Sequence, residues 1–270
     1  MPGPRAMPRV PLFPLNLVLF PGQNLPLHIF EQRYKDMLQR CLQNQEPFGV
    51  VLIKDGGRGS RGTPHSIGTL ARVLTSEEME PGRCTVAMPH RDSCFHISTR
   101  GEDRFRITSL DRREASYLVG DVELMPDEPA AEPAMLMVGQ RVATLFDEYY
   151  REIVALMGGW QRITNTGERT MMFDMATLEM NQARLRAADA AEPPRSLPVP
   201  VLPEDPRALA NVIAAELNVQ PDVKQELLET PSALARLQRE AEILAEETPQ
   251  IAERLKLHYR RRFSEFGRTN

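Results

Sequence analysis

Lysine is nearly missing from this 270-residue chain: four lysines stand against 29 arginines, and the 33 cations fall short of 37 acids, leaving a formal charge of -4. Binding to a phosphate backbone is driven by clustered basic side chains that release counterions. Here the arginines are scattered among acids, so nucleic acid is not an expected partner. Cysteine is scarce too. Cys41, Cys84 and Cys94 are an odd number, which argues against a secreted disulfide framework and for reduced thiols. No apolar run approaches the roughly 20 residues that a membrane helix requires. The opening MPGPRAMPRVPLFPLNLVLFPG puts prolines where a signal peptide carries uninterrupted apolar residues. The expectation is a cytoplasmic protein with no membrane partner. The hydrophobic share, 41%, is enough for one large or two modest packed cores and leaves no room for a wholly disordered chain.

Residues 9 to 29, RVPLFPLNLVLFPGQNLPLHI, are short apolar stretches cut by Pro11, Pro14, Pro21 and Pro26, a pattern of edge strands joined by turns. From Phe30 the period changes, and Phe30, Tyr34, Met37, Leu38, Cys41 and Leu42 share one face of a helix. PFGVVLI (47–53) and SIGTLARVLT (66–75) read as strands around a glycine-rich loop at 55–64. From Arg83 to Met125 the sequence alternates, with turn signals at Pro89 to Asp92, Gly101 to Asp103 and Asp111 to Glu114. This predicts a meander of RCTVAM, CFHIST, RFRITSL and YLVGDVEL, and with the earlier strands an antiparallel β-barrel with one inserted helix over 8–126.

Residues 127–270 read as helical. Val138, Val142, Leu145, Phe146, Tyr149, Ile153, Leu156 and Met157 recur at helical spacing until Gly158-Gly159 should stop them. Residues 158–203 form an insert of loop, weak helix and proline-rich segment. Asp205-Pro206 opens a helix striped by Leu209, Val212, Ile213 and Leu217. Asp222 with Gln225 resembles a capping box, and Thr230-Pro231 starts a further helix that Pro249 should break or kink. The sum is an α-helical bundle of four or five helices behind the barrel, and an α+β fold class.

FPLNLVLFPGQNLPLHIFEQRY (13–34), with Phe20-Pro21-Gly22, with Pro26, Leu27 and Phe30 in LPLHIFE, and with Arg33-Tyr34, resembles the N-terminal, substrate-binding domain of Lon proteases. The resemblance continues in order through PFGVVLI, IGTLARV, GEDRFRI (101–107) and YLVGDVELMPDE (117–128). DPRALANVIAAELNVQPDVKQELLET (205–230) looks like the helical part of the same family. The resemblance implies a PUA-like barrel with an inserted helix and a helical bundle, a barrel type that recurs in cereblon-like ubiquitin-ligase adaptors. It also implies recognition of polypeptides for degradation. Residues 158–203 have no counterpart in it, and the chain reads as a stand-alone member without the ATPase and peptidase domains.

The residues offer little catalytic chemistry. A phosphate-cradling G-x-x-x-x-G-K-[ST] loop is missing, since none of Lys35, Lys54, Lys224 or Lys256 follows a glycine. The ten serines include no G-x-S-x-G turn. The segment that carries the family's Ser-Lys pair is not in this sequence. Cys94 and His96 share a strand face, where spacing favours packing over nucleophilic attack. Cys84, His90, Cys94 and His96 are four zinc-ligand types within thirteen residues, but their spacing matches no familiar knuckle, so packing is preferred and neither metal nor cofactor is expected. His28 reads as a hydrogen-bonded structural histidine.

The reading is therefore not an enzyme but a polypeptide-binding or adaptor module, acting in connection with proteolysis. Its partners are unfolded or client polypeptides and a protease or adaptor protein. Met171, Met172, Phe173, Met175 and Met180, with Trp160 upstream, supply adaptable apolar side chains, and Trp160, Met171, Met172 and Phe173 are the expected polypeptide contacts. Phe20, Pro21, Gly22, Pro26, Leu27, Phe30, Arg33 and Tyr34 are expected to be structural. An RNA-binding role on the PUA-like barrel is the alternative, and it requires a basic groove.

Overall fold

The structure, a computed structural model, describes residues 8–54, 62–80, 93–164 and 200–266, without the side chains of 155–164 and 255–266. Its strands are β1 (Arg9–Leu15), β2 (Asn24–Ile29), β3 (Phe48–Leu52), β4 (Ile67–Met79), β5 (Cys94–Asp111) and β6 (Leu118–Leu124). The helices among the described residues are α1 (Gln32–Asn44), α2 (Glu132–Thr164), α3 (Pro206–Glu216), α4 (Pro221–Glu229) and α5 (Ala233–Phe266). The chain divides into two compact units, Met1–Pro129 with Ala214–Ser232, and Ala130–Ile213 with Ala233–Asn270.

In the first unit the strands form one sheet in the order β2-β5-β4-β3-β1-β6, and β5 pairs with β6 as well. The pairings thus run from β5 through four strands and return to β5, with β2 attached outside that ring. The sheet is mixed, not antiparallel as the alternation predicts: β1 and β3 are parallel, Leu12 facing Gly49 and Leu15 facing Leu52. The reason lies in the connection, because β2 and α1 intervene and give the chain the length a parallel return needs.

β1 also departs from the edge position that its prolines predict. It lies between β3 and β6, but in a staggered way. Residues 9–12 pair with β6 and residues 12–15 with β3. Pro11 and Pro14 each fall where the strand has a neighbour on one side only, which leaves an open side for the absent N–H. β2, with Pro26, is the edge strand expected.

β5 is one strand of 18 residues where a turn at Gly101 to Asp103 was expected. Its first half pairs with β2 and its second with β6, and β4 runs along both. Val10, Leu12, Val51, Leu70, Phe105, Leu118 and Val122 pack together as the core of the sheet. α1 contributes Tyr34, Met37, Leu38 and Cys41 as its buried face, with the Tyr34 ring 4.2 Å from that of Phe13. Phe30 and Leu42, expected on that face, are both 44% exposed.

α4 belongs to this unit. Its buried Gln225 donates to the Ile67 carbonyl at 3.1 Å. The expected capping box does not form: Gln220 is the N-cap, Pro221 opens the helix, and Asp222 lies in its first turn. At the helix end, buried Arg104 donates to the carbonyls of Leu228 (2.8 Å) and Thr230 (2.7 Å) and to Asp127 (2.6 Å). Carbonyls at a helix C-terminus lack intrahelical donors, and a buried guanidinium supplies them while meeting the negative end of the helix dipole.

In the second unit Met135, Val142, Phe146 and Tyr149 line the buried face of α2. α2 continues through Gly158-Gly159, where the glycines predict a stop. At roughly 1 kcal/mol per glycine, a 33-residue helix carries both. α3 begins as read from sequence, with Asp205 accepting from the N–H groups of Arg207 and Ala208, both at 3.3 Å. α5 likewise runs through Pro249, with the Thr248 hydroxyl donating to the Leu244 carbonyl at 2.7 Å. Among the described residues, 127–270 hold four helices, in line with the four or five expected, and two of them, α2 and α5, are long.

Candidate functional site

Phe20-Pro21-Gly22 forms a turn held from several sides. Gln23 donates its N–H to the Phe20 carbonyl at 3.1 Å, and its side-chain oxygen accepts the Phe20 N–H at 3.0 Å. Gly22 adopts φ +80°, a conformation that favours glycine. The turn then docks on the middle of β5: Gly22 donates to the Gly101 carbonyl and Gly101 to the Gln23 carbonyl, each at 2.8 Å. A Cβ on Gly101 would fall on the Phe20 carbonyl oxygen. The glycine therefore marks a close backbone approach, which is why β5 does not turn there.

β2 follows directly. Thr99 donates to the Leu25 carbonyl at 2.8 Å and Thr69 to the Leu19 carbonyl at 2.6 Å, fixing the strand's entry to the sheet. Pro26 is exposed, Leu27 half-buried, and Phe30 just beyond the strand is exposed. The outer edge of β2 has no strand partner among the described residues. Tyr34 is buried, and burial raises its phenol pKa. Arg33 lies 4.5 Å over the Tyr34 ring and bonds Glu31.

One constellation is brought together that spacing did not reveal. β2 and β5 are antiparallel with His28 opposite His96, and Cys94 lies two residues before His96 on the same face. The ligand atoms of His28, Cys94 and His96 all lie within 4.8 Å of one another, and the two imidazole rings meet edge-on at 4.7 Å. Cys94 is fully buried and both histidines are half-buried. Cys94 is disulfide-bonded, a correction to the expectation of reduced thiols. Cys41 is free and buried, and burial pushes its thiol up to about 12. Cys84 and His90 lie outside the described residues.

The polypeptide contacts read from sequence are only partly placed. Trp160 lies on α2, where the backbone alone is described, and Met171, Met172 and Phe173 lie outside the described residues. No helix among the described residues is long and apolar enough to cross a membrane.

Residues 9–246 match the family model of the ATP-dependent protease La (LON) substrate-binding domain. The Lon protease of Paraburkholderia phytofirmans is 27% identical over 252 residues, which are 89% of this chain and 25% of that protein. The chain thus spans about a quarter of the length of the curated relative. In fold it is similar to the crystal structure of a Lon N-terminal domain protein from Xanthomonas campestris, at a TM-score of 0.50 and 20% identity over 86% of this chain and 96% of that one. The N-terminal domain of the Mycobacterium avium complex Lon protease gives a TM-score of 0.51 and 15% identity over 90% of this chain and 98% of that one.

Proposed function

The chain belongs to the family of LON substrate-binding domains, and on that premise we propose that it is a non-catalytic module that binds unfolded or client polypeptides in connection with proteolysis. The observation that carries this reading is the extent of the match, which takes in both the sheet and the helices, from residue 9 to residue 246. Its partners are then polypeptide clients together with a protease or adaptor protein. We take the ring of strand pairings to be the PUA-like barrel of the family.

The open edge of β2 supports a mechanism. An extended segment can add to a free sheet edge through main-chain hydrogen bonds, which read no particular sequence, while pockets along the edge supply preference. Pro26 withholds one N–H from that edge, which limits how far a second copy of the sheet could pair with it. Trp160, Met171, Met172 and Phe173 are the apolar contacts of this proposal, because methionine side chains re-pack around dissimilar clients. Arg9, Arg40, Arg72 and Arg104 each face a carboxylate. Such pairing disfavours the basic groove that an RNA-binding role requires.

The test is binding of the purified chain to a panel of unfolded polypeptides, their folded counterparts and a single-stranded RNA, at two salt concentrations. The expected result is micromolar affinity for the unfolded members, about -8 kcal/mol, little changed by salt, with roughly tenfold weakening in Trp160→Ala and Met172→Ala. Equal binding to folded and unfolded forms would overturn the proposal, and salt-sensitive retention of RNA alone would put the nucleic-acid reading in its place.

A further inference from the structure

We propose that His28, Cys94 and His96 form a binding site for a borderline-soft divalent metal of the zinc class, open to metal when Cys94 is reduced. The argument begins with register. His28 stands opposite His96 across the β2–β5 ladder, and Cys94 follows on the same face two residues away, so three donor side chains project from neighbouring positions of one sheet surface. Their ligand atoms lie within 4.8 Å of one another. Tetrahedral zinc, with bonds near 2.0 to 2.1 Å to nitrogen and 2.3 Å to sulfur, spaces its ligand atoms by roughly 3.3 to 3.7 Å. Closing that difference is the adjustment that binding asks of the two histidine and one cysteine side-chain torsions.

The donor set selects the metal. Two imidazoles and a thiolate suit zinc and its neighbours, whereas calcium and magnesium require oxygen ligands. The cluster sits across two strands that differ in how they are held. β5 is paired on both sides, while β2 is paired with β5 alone. A metal bound to His28 on one strand and to Cys94 and His96 on the other would therefore clamp the edge strand to the sheet. The register also places Glu77 of β4 opposite His96 on its other side. A carboxylate in that position is of the type that orients a metal-bound imidazole.

The disulfide at Cys94 is the oxidised form of the same donor and cannot coordinate as a thiolate. A phosphine reductant opens it without any other oxidant or metal: disulfide, phosphine and water give two thiols and the phosphine oxide. The Cys94 thiol then releases its proton to solvent as the sulfur binds the metal. Cys41 does not compete, since it is buried within α1 with its pKa pushed up to about 12.

The experiment uses the full chain, stripped of metal and reduced with a phosphine, and titrates it with zinc against a chromophoric chelator. Cobalt(II) is then added as a spectroscopic probe. We expect one zinc per chain, a thiolate-to-cobalt charge-transfer band, and a melting temperature that rises with zinc in the reduced but not the oxidised protein. His28→Gln and His96→Gln should each weaken zinc at least tenfold, and Cys94→Ser should remove the charge-transfer band. Circular dichroism of the metal-free variants checks that they fold, and the comparison of reduced with oxidised wild type needs no variant at all. The proposal is overturned if reduced wild type takes up no zinc, if cobalt binds without a thiolate band, or if folded His28→Gln binds as tightly as wild type.

Discussion

The two units differ in the reach of their side-chain hydrogen bonds to backbone carbonyls. In the first, four buried polar side chains reach elements distant in sequence: Arg104 the end of α4, Thr69 the Leu19 carbonyl, Thr99 the Leu25 carbonyl, Gln225 the Ile67 carbonyl. In the second, two threonine hydroxyls bond within their own helix. Thr144 donates to Gln140 one turn back and Thr248 to Leu244. Arg236 and Glu240, both fully buried, are also one turn apart. A cross-element bond is satisfied in only one arrangement of strands and helices, so it specifies topology. A bond within one helical turn forms wherever the helix goes, and long-range specificity is left to apolar stripes.

The sharpest way to break this contrast is Arg104→Met. Its removal takes the guanidinium from the carbonyls at the end of α4 and from Asp127, and a loss of about 3 to 5 kcal/mol is expected for a broken buried ion pair. Urea denaturation reads it, and an unchanged midpoint would show that the helix end finds other donors. Gly101→Ala tests the backbone side of the same unit. The added Cβ meets the Phe20 carbonyl oxygen, so the turn must retreat from β5 at a cost of about 1 to 3 kcal/mol. The matching Gly139→Ala in the second unit, where a Cβ would meet only ordinary contacts with Pro206 and Leu209, should cost nothing measurable.

Glu240 sharpens the comparison from the other side. Neither of its buried carboxylate oxygens has a hydrogen-bond partner among the described residues, and burial raises its pKa well above 4.5, opposed by the Arg236 charge. For a carboxyl raised in the folded state, the folded protein holds its proton where the unfolded chain has already lost it. This contribution is full below pH 4.5 and declines as pH rises toward the folded pKa, by at most about 1.4 kcal/mol per pH unit. Glu240→Gln should flatten that decline. Parallel stability curves for variant and wild type would show the carboxyl to be ionised in the fold. The smallest effect belongs to Asp205→Ala, which removes the cap of α3 at a cost of about 1 kcal/mol, measurable as a reduced melting temperature.

The contrast also explains what was legible in the sequence. The face of α1 and the Asp205-Pro206 start of α3 are local, and the residues that make them lie within a turn of one another. Gly101 looked like a turn because glycine announces an unusual backbone environment without saying which kind, and here the environment is a neighbouring chain. Gly158-Gly159 predicts a stop and Pro249 a break or kink from local propensity, yet both helices continue through them. β1 was misplaced for a related reason: a proline excludes a donor on one side, and only the stagger of β6 and β3 shows which side is open. His28 could not be joined to Cys94 and His96 by counting along the chain, because 66 positions separate residues 28 and 94 and only the ladder closes that distance.

The membership of α4 in the first unit bears on how the chain is made. The unit consists of Met1–Pro129 and Ala214–Ser232, so 84 positions lie between 129 and 214. At about 5 to 20 residues per second, a ribosome takes roughly 4 to 17 s to cross them. Throughout that interval Arg104 has been synthesised and the carbonyls of Leu228 and Thr230 that receive it have not. The nascent sheet must wait with a cation in what will be its interior, and the first unit is finished only after translation has passed through residues 130–213 of the second.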